Sequence, residues 1–92
     1  MIEIVFDQDA RQASAYDSTN QVGYCVFTED HNTWNITHTI VVESYQGHGL
    51  ARKLVECILQ EAKRQGKTVI ASCSYAKKVL DEKTNVSLDF EV

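Results

Sequence analysis

The segment from about Gly49 to Gln65, GLARKLVECILQEAKRQ, repeats its apolar residues at helical spacing and is bracketed by two β-like runs. Leu50, Leu54, Val55, Ile58 and Ala62 form one stripe, with Ala51 and Cys57 at its borders. Arg52, Lys53, Glu56, Gln60, Lys63 and Arg64 occupy the opposite face. Lys63 and Arg64 suit a helix C-terminus, and Gly66 suits the left-handed residue that ends one. A single amphipathic helix between two strands constrains the topology strongly. It predicts a right-handed crossover joining parallel strands, with any ligand beyond the strands' carboxyl ends.

The strand before this helix, roughly 33–42 (TWNITHTIVV), alternates cleanly. Trp34, Ile36, His38, Ile40 and Val42 are expected on one face, and Asn35, Thr37, Thr39 and Val41 on the other. The strand after it is KTVIASC, residues 67–73. Upstream, MIEIVF reads as a first strand, RQASAYDS as a weaker one and QVGYCVFT (roughly 21–28) as a third. The short break EDHN predicts an antiparallel hairpin between the third strand and the fourth. Downstream, SYAKKVLDEK reads as a short helix with Ser74 as its N-cap. The alternation of Val86, Leu88, Phe90 and Val92 predicts a final strand. The expected fold is α/β (α+β): a mixed sheet of antiparallel N-terminal strands, then strand–helix–strand with a parallel pair, a short helix and a C-terminal strand.

Ninety-two residues without repeats or linkers make a single domain, 1–92. A net charge of −4 argues against a nucleic-acid partner. Cys25, Cys57 and Cys73 form no CxxC pair and are odd in number, which points to a reducing, cytoplasmic setting rather than a disulfide framework. The start of the chain lacks a signal-peptide pattern, and no apolar run is long enough to span a membrane. No His/Cys spacing suits a metal site.

The turn entering the helix, YQGHGLARK, carries the chemistry. Gly47 and Gly49 permit unusual backbone angles and close approach of a ligand to backbone N–H groups. Arg52 and Lys53 lie where a helix dipole ordinarily favours acidic residues. They make sense if an external anion occupies the turn; the plainer alternative is a loose helix entry with solvated cations. The phosphate motif GxxxxGK[ST] is absent, and GxGxxG fails because Arg52 replaces its third glycine.

Gln46-x-x-Gly49-x-Ala51, with a strand before it and a helix and parallel strand after it, resembles the Q/R-x-x-G-x-G/A signature of the GNAT superfamily of acetyl-CoA-dependent N-acetyltransferases. Residues 21–82 resemble its short, single-domain members, through His38-Thr39, the turn Gln46 to Ala51, and Cys73-Ser74-Tyr75. The resemblance implies acetyl-CoA as co-substrate and an amine acceptor, with an amine on a protein among the alternatives. It implies a pyrophosphate held by Gln46, Gly47, His48, Gly49, Leu50, Ala51 and Arg52, and a pantetheine arm paired with the backbone of Ile40, Val41 and Val42.

The catalytic tyrosine of many GNAT enzymes has no counterpart here, because Leu80 stands near its place. The candidates that remain are Cys73, at a strand end before a helix where a thiolate is favoured, and His38 as proton acceptor. The resemblance to the short subfamily supports a catalytic cysteine. Each has a structural alternative: Cys73 as a small buried hydrophobe, His38 as a core histidine. The main functional rival is a non-catalytic acetyl-CoA or CoA binding module.

Overall fold

The strands pair in the order in which they occur along the chain. The structure is a computed structural model, and it describes the backbone of residues 1–91 and the side chains of residues 1–82. Strands β1 (Ile2–Asp7), β2 (Gln12–Asp17), β3 (Asn20–Asp30) and β4 (Thr33–Val41) form an antiparallel meander. A 3₁₀ turn, Glu43–Tyr45, leads into α1 (Leu50–Gln65). Strand β5 (Thr68–Ala71) then pairs with β4 in parallel, and α2 (Ser74–Glu91) ends the described chain.

The apolar stripe read from the sequence is the buried face of α1: Leu50, Leu54, Val55, Ile58 and Ala62. It lies on Ala13 and Ala15 of β2, Cys25 and Phe27 of β3, and Trp34 and Ile36 of β4. Ala76 and Val79 of α2 complete the same cluster, so both helices pack on one face of the sheet. Phe6, Phe27 and Trp34 stack beneath it, with the Phe27 and Trp34 rings 4.3 Å apart. The opposite face carries Val5, Ile40 and Ile70, all exposed.

Small residues set how close α1 comes to the sheet. A Cβ on Gly23 would lie 3.1 Å from the Ile40 carbonyl oxygen and 3.2 Å from Leu54 Cδ1. Helix and strand therefore touch through the missing side chain.

Two expectations are corrected. The alternation in β4 does not hold a single face. Opposite β3, Val26 pairs with His38 but Phe27 pairs with Ile36, so Thr37 is an extra, bulged residue. A bulge reverses the facing of everything beyond it. Trp34 and Ile36 are buried, but beyond Thr37 it is Thr39 and Val41 that turn toward the core, while His38, Ile40 and Val42 are exposed.

The second correction concerns the C-terminus. No strand forms over 86–91, because α2 runs from Ser74 through Glu91; Val92 lies outside the described residues. Val86 and Phe90 also satisfy helical spacing, and a short apolar run does not decide between the two periods. The helix, started at Ser74, needs no partner strand to continue.

No helix among the described residues is long and apolar enough to cross a membrane. Gly23→Ala is expected to destabilise the fold by about 1–3 kcal/mol through overpacking. Thermal unfolding would register this as a fall in Tm of roughly 4–8 °C per kcal/mol.

Candidate functional site

The parallel ladder between β4 and β5 is short. It runs from Thr33–Thr68 to Ile36–Ala71 and stops. There the Ile36 carbonyl accepts from the N–H groups of both Ser72 (3.0 Å) and Cys73 (3.1 Å), which bends the chain away from β4. Asn35 secures the bend: its Oδ1 accepts from Ser72 N–H at 2.9 Å and from the Ser72 hydroxyl at 3.0 Å. Beyond Ile36, β4 continues to Val41 paired with β3 alone. The Val42 N–H bonds to Val22 on the β3 side, so by alternation the peptide groups of Val41 and Thr39 face the opening.

At the end of this open edge lies the glycine turn. Gly47 and Gly49 have φ of +84° and +76°. Gly49 caps α1 in the left-handed conformation, and no side chain caps the helix. The first N–H groups of a helix have no intrahelical acceptor, so this end presents free donors and the positive end of the dipole. Nothing lies within 4 Å of a Cβ built on either glycine. A cavity of about 250 Å³ opens at this point between Val41, the turn from Tyr45 to Gly49, and Leu50, Ala51 and Tyr75. These features suit a phosphate-bearing, elongated ligand: donors without a cap, no side chain in the way, and an unpaired strand edge leading onward.

Cys73 stands where that edge meets α2. It directly precedes Ser74, the first helical residue, so Cys73 rather than Ser74 occupies the cap position. Its carbonyl accepts from Lys77 N–H at 2.9 Å. Its Sγ lies 3.7 Å from Thr39 Oγ1. Burial pushes the Cys73 thiol up. Hydrogen bonds from Ala76 N–H, the Thr39 hydroxyl, Tyr75 N–H and Thr39 N–H outweigh that effect and hold it below the ordinary thiol range. Cys25 behaves oppositely: fully buried on β3, its thiol is pushed up to about 11, chiefly by desolvation. Burial likewise raises Cys57.

A family model for GCN5-related N-acetyltransferases matches residues 12–89. The chain belongs to that family. A GCN5-like protein from Staphylococcus aureus is 28% identical, with a TM-score of 0.69 over 90% of this chain and 81% of its own. A second S. aureus protein, 16% identical, has a TM-score of 0.67 over 92% and 89%. A GNAT family acetyltransferase from Elizabethkingia anophelis, solved with acetyl-CoA bound, is 20% identical with a TM-score of 0.62. The match covers 79% of this chain but about half (51%) of that enzyme, and at this identity the likeness is one of fold. No curated protein matches the chain significantly.

The GNAT domain gathers some of its sequence-derived candidates and separates others. Val41, Gln46, Gly47, Gly49, Leu50 and Ala51 line the 250 Å³ cavity. Gln46 Nε2 donates to the Val41 carbonyl at 3.0 Å, tying the turn to the strand edge. The side chains of Ile40 and Val42 point away, into solvent. His48 lines a second cavity of about 320 Å³ beside Lys53, Asp17 and Met1.

Arg52 has carboxylate partners: its Nη1 is 2.7 Å from Glu82 on α2 and its Nε 3.3 Å from Glu56. The cation that looked misplaced in the sequence therefore clamps α1 to α2. His38 lies on the face opposite Thr39, exposed, with Nδ1 3.1 Å from Thr37 Oγ1. The group that reaches Cys73 from β4 is Thr39, not His38.

Three residues carry contacts that no sequence pattern assigned to them. Tyr45 and Tyr75 line the cavity, and Tyr45 donates to Asp17 Oδ2 at 2.5 Å, fastening the turn to β2. Thr39 is the third. Only the position of Thr39 beside His38 hinted at a role, and the bulge that turns it inward leaves no local signature.

Gly49→Ala is expected to cost about 1–2 kcal/mol, since the added Cβ has room but the left-handed backbone disfavours it. Gly49→Asn, which tolerates that conformation, should recover part of the loss in thermal melts.

Proposed function

We propose that this protein transfers the acetyl group of acetyl-CoA to an amine, carried on a protein chain, with Cys73 as the reactive thiol. The observation that carries the reading is convergence: the uncapped glycine turn and the end of the unpaired β4 edge line one cavity with Tyr75, and the Cys73 thiol, two residues before Tyr75, meets the same edge at Thr39. The coenzyme would supply an acetyl thioester. Backbone N–H groups from Gly47 to Ala51 would hold its pyrophosphate, and the outward Thr39 carbonyl and Val41 N–H would pair with its pantetheine arm, the Thr39 N–H and Val41 carbonyl being engaged by Cys73 and Gln46. Arg52, engaged by Glu56 and Glu82, would steady the helix from behind rather than meet the phosphate.

The Cys73 thiolate would attack the acetyl thioester, forming a bond to the acetyl carbon as the coenzyme leaves as its thiolate; the amine then attacks the acetyl-Cys73 thioester, loses a proton and releases the Cys73 thiolate. Its position at the N-terminus of α2 favours thiolate. His38 is exposed on the face of β4 opposite Thr39, so as a proton acceptor it would serve an amine approaching over that face and not the Cys73 thiol itself. Among the described residues no helix covers that face, which holds Ile40 and Ile70 in the open. An uncovered approach of this kind suits a large acceptor such as a protein N-terminus or a lysine.

Calorimetry with acetyl-CoA should show binding by both the native protein and Cys73→Ala. Mass spectrometry after incubation with a peptide amine should show acetyl transfer by the native protein, reduced about 100-fold or more in Cys73→Ala. Turnover should rise with pH as the thiol ionises and level off at a lower pH than an ordinary cysteine would allow, because the folded state lowers this thiol's pKa. Absence of binding would remove the whole reading. Unchanged turnover in Cys73→Ala would remove the cysteine from it. Binding without turnover on any amine would favour a coenzyme-binding module.

A further inference from the structure

The bulge at Thr37 places one hydroxyl between two thiols. Thr39 Oγ1 lies 3.4 Å from Cys25 Sγ and 3.7 Å from Cys73 Sγ, both within hydrogen-bond range for sulfur. Cys25 comes from β3, where it pairs directly with Thr39, and it is completely shielded from solvent. Cys73 comes from the β5–α2 junction and is only partly covered.

The two thiols differ in what they can offer. Cys25, its thiol pushed up to about 11 by burial, stays protonated throughout the neutral range, and in its contact with Thr39 either group can donate. Cys73 ionises more readily and, once ionised, is an acceptor. A threonine hydroxyl has one proton and two lone pairs. While Cys73 is neutral, its S–H donates to one lone pair of the Thr39 oxygen. Once Cys73 has lost its proton, the Thr39 hydroxyl can donate to the sulfur while Cys25 S–H donates to the oxygen. The groups facing Cys73 are Cys25 from β3, the Thr39 side chain and N–H from β4, and the N–H groups of Tyr75 and Ala76 from α2.

We propose that Thr39 is the positioning residue for Cys73: its hydroxyl oxygen accepts from the neutral Cys73 thiol, turns its own proton to the sulfur once that thiol ionises, and so holds Cys73 Sγ at the end of the β4–β5 ladder. This rests on the reading of Cys73 as the reactive thiol, and it adds a residue that acts through Cys73 without touching the acceptor.

The test reads the thiol itself, without coenzyme. Alkylation of Cys73 by iodoacetamide is followed by peptide mass spectrometry across pH in the native protein, Thr39→Val and Thr39→Ser, with melting temperatures as a check on folding. Losing one hydrogen bond to the thiolate should move the midpoint to higher pH in Thr39→Val and slow alkylation at neutral pH by about three- to tenfold. Thr39→Ser, which keeps the hydroxyl, should return the native profile. A merely structural role would not separate valine from serine in this way. If Thr39→Val fails to fold, Thr39→Ala, which only removes atoms, carries the same expectation. Identical profiles for the native protein and the hydroxyl-free variant would overturn the proposal. The outcome is separable from that of Cys73→Ala: a shifted alkylation profile alongside turnover that does not depend on Cys73 would support the Thr39 contact and remove the catalytic reading of the thiol.

Discussion

The Ile36 carbonyl is where this structure divides. By accepting two N–H groups, from Ser72 and Cys73, it ends the β4–β5 ladder after four residue pairs and turns the chain into α2. One residue further along β4, the Thr37 bulge adds twist and reverses the facing of the strand. Together these events leave the far half of β4 with peptide groups that no strand satisfies. Buried or ligand-facing backbone groups need partners. An elongated ligand with amide groups meets that need, which makes the opening a chemical feature as well as a gap.

The rest of the fold holds this opening in shape. Gly23, Ala13 and Ala15 let α1 settle close to the sheet, so that the helix N-terminus is delivered to the end of β4. Tyr45 ties the approach to the glycine turn onto Asp17, and Gln46 ties its far side to Val41. Arg52 joins α1 to α2 through Glu82. The turn is thus anchored on both sides while its own N–H groups stay uncapped. Placing conformational strain only at Gly47 and Gly49 confines it to residues that bear it at little steric cost.

Much of the architecture was readable from one dimension. The α1 stripe, the hairpin between β3 and β4, the parallel neighbour and the glycine turn all follow from periodicity and turn chemistry. The buried residues of α1 are the ones its spacing marks. The two errors share a cause. Alternation in β4 and over 86–92 was read as a continuous property of the chain. In β4 a single extra residue against β3 breaks the phase. At the C-terminus a helix already begun at Ser74 carries through a run that fits either period.

The sequence by itself determined the class of fold, the position of the glycine turn and the presence of a thiol at the next strand's end. These are local: a periodicity, a glycine spacing, a residue before a helix. Only the tertiary structure decided which groups meet. It turned His38 out to the bare face and Thr39 in toward Cys25 and Cys73, and it gave Arg52 carboxylate partners from another helix. The physical reason is that pairing register and helix docking are relations between segments distant in the chain. No local pattern records where an extra residue will be absorbed, or which charge will arrive from thirty residues away.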